Sequence, residues 1–402
     1  MSTALSALQS TIADAHASAT TLRIRGAGTW LSAGRPVDAP QSINTGDLTG
    51  IIEYVPGDLV ITAHAGTTLR ELAQVTAEHQ QWLALEPYAS PAGIDHGTIG
   101  ATIATASHGP LALGYGRTRD LILGLSFITG DGTAVRAGGQ VVKNVAGFDL
   151  VRMATGAWGT LGVITQVSLR LHARPVVDET FAIGVHVPMA IDNQKAALTP
   201  LFARLNEAPL LATTTSLASL VVLAHDLPDT IRASHDLPVA PLVLLARATG
   251  NRTRVDAVRR ALATLGAVAI VDGSVWRTIR AMDIADTTMR VTDAPLQSAR
   301  TWHHIDAWSS ANGIGPRHTL IEPLRGAVRL SCQLRSTPAT PFTLPEHAIA
   351  ERLPRDAWPS VPSAVDDRIS RRLRQVFDAS AIFNRGILGE TRDAPAYGVS
   401  AP

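Results

Sequence analysis

The feature that most constrains this chain is where its glycines stand beside threonine and other small residues. Three segments of the first half have this character. Arg25-Gly26-Ala27-Gly28-Thr29-Trp30 follows a strand-like run, Thr21-Leu22-Arg23-Ile24. Gly97-Thr98-Ile99-Gly100 opens a stretch of small residues that continues to Gly109. Gly156, Gly159 and Gly162 are spaced by three and lead into Val163-Ile164-Thr165. Glycine reaches backbone angles closed to other residues. A turn such as 25–29 can therefore aim several amides at one point and form a nest for anionic oxygens, with the Thr29 hydroxyl as a further donor. Small side chains at 97–109 let a flat ligand lie against backbone, and a helix starting there would favour an anion at its N-terminus. No dinucleotide fingerprint follows the first turn, because a second strand and an acidic ribose partner do not come at the required spacing. Each segment alone is equally compatible with an ordinary strand-ending turn or a tight helix contact.

The surrounding sequence alternates between short helices and strands. Residues 5–17 predict a helix, and 51–54 and 59–63 two strands joined at Pro56-Gly57-Asp58. Thr68-Leu69-Arg70-Glu71 is a capping box, so a helix starts at 69. Residues 121–128 and 133–136 predict a hairpin around Gly130-Asp131-Gly132, and 162–171 a long buried strand. After about residue 178 glycine thins out. Strand-like runs at 242–246, 267–271 and 327–334 then alternate with a helix at 254–265, the pattern of a second α+β domain. The proline-rich stretch 337–363 predicts irregular structure, followed by a final helix bearing Ile369, Leu373, Val376 and Phe377 on one face.

Composition excludes several classes. With 35 Lys+Arg against 34 Asp+Glu and a net charge of +1, there is no basic stripe of a nucleic-acid binder. The single cysteine, Cys332, cannot build a disulfide scaffold or an iron–sulfur cluster within this chain. The first 20 residues lack a secretory pattern, and no run of 18 apolar residues occurs, so the expectation is a cytoplasmic protein without a transmembrane segment.

In order and spacing, the segments resemble the FAD-binding domain of the vanillyl-alcohol oxidase and p-cresol methylhydroxylase family. The resemblance covers the first turn, the 97–109 segment and Tyr115-Gly116-Arg117-Thr118-Arg119-Asp120. It continues through Lys143-Asn144-Val145-Ala146-Gly147-Phe148-Asp149-Leu150 and the stretch 156–165. It is strong over 21–175, patchy over 176–360, and returns at 365–388 with Phe377-Asp378 and Phe383-Asn384-Arg385-Gly386. The run 143–150 is especially similar to the flavin subunits of bacterial three-subunit glycolate oxidases. The resemblance implies an α+β fold with a two-subdomain FAD-binding domain at 1–178 and an α+β cap at 179–364. It also implies a C-terminal helix and returning segment at 365–390, leaving 391–402 as a loose tail. Gly26, Ala27, Gly28 and Thr29, flanked by Arg25 and Trp30, would hold the pyrophosphate. Gly97, Thr98, Ile99, Gly100 and Gly109 would lie along the ribityl chain and isoalloxazine. Gly162, Val163 and Ile164 would contact the flavin through backbone, and Asn384 would reach it from the C-terminus.

The sequence departs from that family at Ala27 and Ala101, which stand for glycines, and at Ala379 and Arg385, which stand for prolines. Ala27 is tolerable only with negative φ. The histidine that carries covalent flavin in some relatives is replaced by the Thr29-Trp30 stretch, so the resemblance implies non-covalent FAD.

The implied function is that of the FAD-binding subunit of a multi-subunit glycolate oxidase or dehydrogenase. Glycolate would be oxidised to glyoxylate and electrons passed to a second, catalytic FAD subunit and an iron–sulfur subunit, with peripheral membrane association through the complex left open. The metal-binding His-x-Gly-Asp-Gly-Asn motif of catalytic relatives is absent. His303-His304, and His318 with Glu322, are the nearest substitutes, and no metal site or catalytic residue is assigned. Arg277, Arg290, Arg317 and Arg329 are candidates for a carboxylate, with solvated surface the default for each. Two other functions stay open: a self-sufficient FAD oxidase or dehydrogenase of a 2-hydroxy acid or alcohol, and a flavin-free structural subunit. The absent metal motif favours the subunit over the self-sufficient enzyme, the intact glycine turns argue against the flavin-free subunit, and non-catalytic flavin binding would also explain why the second half shows no dense polar cluster in sequence.

Overall fold

The computed structural model describes residues 3–88, 96–139, 149–186, 191–205, 207, 214–223, 227–282, 285–314, 317–334 and 343–390. Lys143-Asn144-Val145-Ala146-Gly147-Phe148 and the tail 391–402 lie outside these residues. The strands in chain order are β1 (Leu22–Arg25), β2 (Gln41–Asn44), β3 (Ile51–Val55), β4 (Val60–His64), β5 (Gln81–Trp82), β6 (Ile122–Ile128), β7 (Ala134–Gly138), β8 (Val163–Arg170) and β9 (His172–Ala173). They continue with β10 (Val177–Val185), β11 (Leu217–Leu223), β12 (Leu242–Gly250), β13 (Ala269–Val271), β14 (Thr287–Thr292), β15 (Arg317–Glu322), β16 (Ala327–Cys332) and β17 (Ala348–Arg352).

The first helix, Thr3–Ser18, buries Leu8, Ile12 and Ala15, spaced by four and three along one face. That face packs on the parallel pair β1–β2 and on Ile382 and Phe383 from the far end of the chain. The C-terminal segment lies along β1: Leu22 N–H donates to the Ile382 carbonyl at 2.7 Å and Asn384 N–H to the Leu22 carbonyl at 3.0 Å. Asp378 secures it by accepting the amides of Ile382 and Phe383 at 3.0 and 2.9 Å. This carboxylate restrains the segment where the resembled family carries proline.

Beside this lies a five-stranded antiparallel sheet in the order β3-β4-β8-β6-β7. Thr68 caps the helix Leu69–Ala77 with both halves of the capping box formed. Asp131 closes the β6–β7 hairpin by accepting the Thr133 amide at 3.0 Å. The helix Ile99–Ala104 packs Ile99 and Ile103 into the same core as Ile61, Phe127 and Val167.

Beyond Val177 the strands form an eight-stranded antiparallel sheet, β13-β10-β12-β11-β15-β16-β14-β17. Its outer face is apolar. It packs against the helices Ile191–Leu205, Arg252–Ala263 and Ser298–Ala311 through Leu198, Phe202, Val255, Val258, Trp302 and Ile305. Its inner face turns toward the first module. Arg247 on β12 pairs there with Asp178 at 2.7 Å and with Glu86 at 3.1 Å, and Arg280 donates to the Pro87 carbonyl at 3.0 Å. Irregular structure was expected throughout 337–363, but β17 forms within it and pairs with β14. Pro345 and Pro354 bound a five-residue strand whose inner edge carries charges, so it lacks the apolar alternation that marks a strand in sequence.

Candidate functional site

Strand β1 ends at Arg25 and the chain turns sharply. Gly28 holds φ +77°, whereas Ala27 is not among the positive-φ residues, so a methyl fits where the resembled family has glycine. A Cβ on Gly26 would lie 2.6 Å from Thr98 Oγ1, which fixes the first segment against the second. The third segment holds Gly156 and Gly159 at φ +81° and +71°, with Trp158 between them at +52°. Its amides stitch it to the end of the helix Ile99–Ala104: Gly156 N–H donates to Ile103 O at 3.0 Å and Trp158 N–H to Ala104 O at 2.8 Å. Asn384 links the remaining pieces. Its Nδ2 donates to the Trp158 carbonyl at 2.7 Å, and its Oδ1 accepts the Ile24 amide at 2.9 Å.

These segments line a single cleft, the concave kind of surface that small molecules and cofactors use. Its donors are unspent. Among the described residues, the amides of Gly26, Ala27, Gly28 and Thr29 make no hydrogen bond. Thr29 Oγ1 and Arg23 Nη1 are buried without a partner, a costly arrangement that a ligand oxygen relieves. Burial also holds the Arg23 guanidinium below its ordinary pKa. Apolar side chains in the remaining wall include Ile24, Ala101, Ala104, Ile164 and Ile387, with Trp30 and Trp158. Unspent donors and apolar wall residues in one cleft fit the pyrophosphate and ring system of FAD.

Of the residues singled out in sequence, Arg25, Gly26, Gly28, Thr29, Trp30, Gly100, Gly162, Ile164 and Asn384 line this cleft. Ala27, Gly97, Thr98, Ile99, Gly109 and Val163 do not. Ile99 and Val163 are fully buried in the core. Thr98 caps its own helix by accepting from Ala101 N–H at 3.3 Å, and Gly97 accepts from Leu69 N–H. Gly109 lies against the Glu86 carbonyl, away from the cleft. The helix N-terminus does not offer free amides as expected: Ile99 donates to Thr67 O and Gly100 to Ala65 O. This helix contributes its small-residue face instead. Arg23 and Trp158 are cleft residues that sequence reasoning missed. Strand alternation was the available signal for Arg23, since Leu22 and Ile24 flank it.

The second half does hold a dense polar cluster, contrary to the expectation, on the inner face of the eight-stranded sheet. Arg290 and Arg329 are direct cross-strand neighbours on β14 and β16. Arg329 grips Glu351 at 3.2 and 2.5 Å and stacks 4.2 Å from the Tyr88 ring centroid. Burial pushes the Glu351 carboxyl up, but Arg329, Arg290 and Arg352 more than offset this and hold it at about 2. Arg352 is 1% exposed and lies over Trp30 at 5.2 Å, so the cluster abuts the cleft. Arg325 pairs with Glu322 and donates to His108 Nε2 at 2.8 Å, while His108 Nδ1 faces the Ala106 carbonyl at 2.9 Å. His108 is therefore the Nδ1–H tautomer. Burial first, then the charge of Arg325, pushes it down to about 3.

His318 and Glu322 share a strand rather than a helix, and Glu322 is engaged by Arg325. His303 and His304 lie on the outer helix Ser298–Ala311. Among the described residues no group of three or more His, Cys, Asp or Glu converges as a metal site. Arg317 pairs with Asp306, away from this face. Cys332 is buried, and burial pushes its thiol up to about 12.

The chain is similar to known proteins in sequence and in fold. Residues 3–138 match the family described as FAD binding domain. A 156-residue stretch is 39% identical to glycolate oxidase subunit GlcE of Escherichia coli (strain K12), covering 39% of this chain and 43% of that protein. A 149-residue stretch is 34% identical to D-lactate dehydrogenase of Archaeoglobus fulgidus, covering 37% of this chain and 32% of that protein. The matched stretches thus span less than half of either relative. A VAO-type flavoprotein from Myceliophthora thermophila C1 superposes with TM-score 0.60 at 14% identity, over 95% of this chain and 77% of its own. No helix among the described residues is long and apolar enough to cross a membrane. The chain has the α+β fold of VAO-type flavoproteins, and its first third matches the FAD binding domain family.

Proposed function

We propose that the chain is the FAD-binding subunit of a multi-subunit glycolate oxidase or dehydrogenase, located in the cytoplasm or peripherally on the cytoplasmic side of the membrane. The observation that carries this is the cleft, where free amides at 26–29 and unpartnered Thr29 and Arg23 donors face a wall of small residues. FAD supplies a two-electron acceptor there, held without a covalent link. Gly26, Gly28 and Thr29 receive the pyrophosphate, with Arg23 and Arg25 adding positive charge. Gly100, Ala101 and Ala104 give the ring a surface without protrusions, and Asn384 holds β1 and the Trp158 turn at fixed separation. The subunit role follows the relation to GlcE, itself a glycolate oxidase subunit; a second flavin subunit and an iron–sulfur subunit complete the assembly.

A second function draws on the cap cluster. A self-sufficient hydroxy-acid dehydrogenase needs a cation for the carboxylate and a base for the hydroxyl proton. The arginines supply the first. The base is not evident: the His108 Nε2 lone pair already accepts from Arg325, and Glu351 is bound by Arg329. This favours the subunit.

The test begins with the isolated chain. A yellow protein that releases its colour into the supernatant on acid precipitation supports non-covalent FAD; a colourless protein sinks the reading. Glycolate and D-lactate are then assayed with an artificial acceptor, alone and with co-expressed partner subunits. Turnover that requires the partners supports the subunit, and robust turnover alone supports the self-sufficient enzyme.

A further inference from the structure

Two helices of this chain carry arginines on one side and aliphatic residues on the other, and they face opposite ways. In the helix Arg252–Ala263 the aliphatic side is buried through Val255, Val258 and Leu262, and Arg259 and Arg260 stand in solvent. That is the ordinary arrangement of a surface helix. In the helix Arg368–Phe377 no residue is buried. Ile369 and Val376 are 73% and 68% exposed, with the half-buried Leu373 between them. These three recur at spacings of four and three, so they form one stripe, and its two ends stand in solvent.

The helix is fixed in that orientation. Asp367 caps it by accepting the amides of Ile369 and Ser370 at 2.9 and 3.0 Å. The Phe377 ring lies 5.9 Å from that of Phe127, and Gly130 N–H donates to the Phe377 carbonyl at 2.7 Å. Arg374 pairs with Glu390 and Arg371 with Asp366. Arg368 and Arg372 are exposed and have no ion-pair partner among the described residues. They stand four apart, a like-charge spacing that disfavours a helix, and Arg372 neighbours both Ile369 and Val376. A helix this short gains its stability mainly by packing its apolar side, and here that side is left uncovered beside unneutralised charge.

Size and charge decide what covers it. The helix is about 15 Å long with a face about 10 Å wide. That gives on the order of 150 Å², against about 800 Å² per partner in a stable protein interface. A second copy meeting the stripe about a two-fold axis would also set Arg372 against its own counterpart. A lipid surface asks for no minimum area: burial of a few aliphatic groups and attraction of arginines to anionic headgroups add to one another. We propose that the helix Arg368–Phe377 is an interfacial anchor, laying Ile369, Leu373 and Val376 at the acyl boundary of an anionic bilayer with Arg368 and Arg372 at its phosphate groups. The anchor accounts for the peripheral location proposed above and does not depend on flavin.

The experiment sediments the full-length chain with vesicles of phosphatidylcholine alone and of equimolar phosphatidylcholine and phosphatidylglycerol. The chain pellets with the anionic vesicles, stays in solution with the neutral ones, and is released by raised salt. Arg368→Gln with Arg372→Gln lowers partitioning roughly tenfold to thirtyfold, and Ile369→Gln with Val376→Gln at least about tenfold. Circular dichroism confirms that these surface variants are folded. Arg259→Gln with Arg260→Gln removes the same charge from the other helix and changes partitioning less than about twofold. Equal losses from the two arginine pairs mean diffuse attraction and overturn the proposal. So does failure to bind the anionic vesicles, or binding that appears only once residues 391–402 are deleted. A chain that ignores vesicles, but loses a dimer or a co-expressed partner subunit in the Ile369→Gln, Val376→Gln variant, assigns the stripe to a protein and overturns it as well. Flavin is read by absorbance in the same samples. Yellow protein left in solution overturns the anchor and keeps the flavin function; colourless protein in the pellet does the reverse.

Discussion

The cleft and the cap face lie side by side but are made of different material. The cleft is built from backbone: free amides at 26–29, glycines at φ values other residues avoid, and small side chains that keep out of the way. The cap face is built from long charged side chains, whose positions depend on strand register and on one another. A backbone site needs specific residues at specific places in a short segment. A side-chain site can recruit arginine or glutamate from any strand that passes, and here Tyr88, His108, Arg290, Arg325, Arg329 and Glu351 come from across the chain.

Breaking the backbone site takes one residue. Gly28→Val places a β-branched side chain at φ +77°, costing roughly 1–2 kcal/mol in backbone strain alone and turning the 26–29 amides away from their common point. The expected outcome is a folded protein with less than about a tenth of its flavin, the largest effect considered. Absorbance of the purified protein checks it. Gly97→Ala is the contrast: a Cβ there meets nothing within 4 Å, and flavin content stays at the wild-type level. If both variants keep flavin, the backbone account of the cleft is wrong.

The cap face answers to charge instead. Glu351→Gln leaves the buried Arg329 without its carboxylate and destabilises the protein by about 3 kcal/mol, visible as a lower thermal midpoint. Flavin loaded into the surviving folded protein stays near wild type if the two sites are energetically separate. Loss of flavin in proportion to stability would show that Arg352, stacked over Trp30, couples them.

This contrast explains what was legible. The capping box at Thr68, the hairpin at Asp131, the strands of the five-stranded sheet, β12, β13 and β16 of the larger sheet and the glycine turns are local patterns, and the structure forms them. Arg290 and Arg329 were among the candidate arginines, but their convergence was not legible because it depends on the register that sets Arg290 opposite Arg329 and on β17, whose Glu351 and Arg352 sit in a stretch that proline made look irregular. Gly97 and Gly109 do not line the cleft. Glycine marks any close approach of backbone, and at Gly109 the approach is to the Glu86 carbonyl. Asn384 was singled out for flavin, yet both of its polar ends are spent on Ile24 and Trp158. Asn384→Gly keeps its φ of +41° accessible but removes both hydrogen bonds. The expected cost is about 2 kcal/mol, read by denaturant unfolding, with weaker flavin binding because β1 and the third segment separate.

The smallest effect sharpens the comparison through pH. His108 bridges the two regions, joined by chain to the cleft helix and by hydrogen bond to Arg325. Its folded value of about 3, set by burial and then by Arg325, Arg290 and Arg117, lies below the ordinary 6.5. The unfolded chain therefore binds a proton that the folded chain refuses between those values. Stability is full above about pH 6.5 and falls as pH drops toward 3. Between pH 7.5 and 5.5 the loss from this residue is about 1 kcal/mol. His108→Gln keeps an acceptor for Arg325 but cannot titrate, so its stability should be flatter across that interval than that of wild type. His172, also lowered by burial, is present in both proteins and cancels in the difference. Denaturant unfolding at the two pH values makes the comparison. Identical slopes would mean that the His108 environment opens to water and that the cap does not seal over the cleft helix.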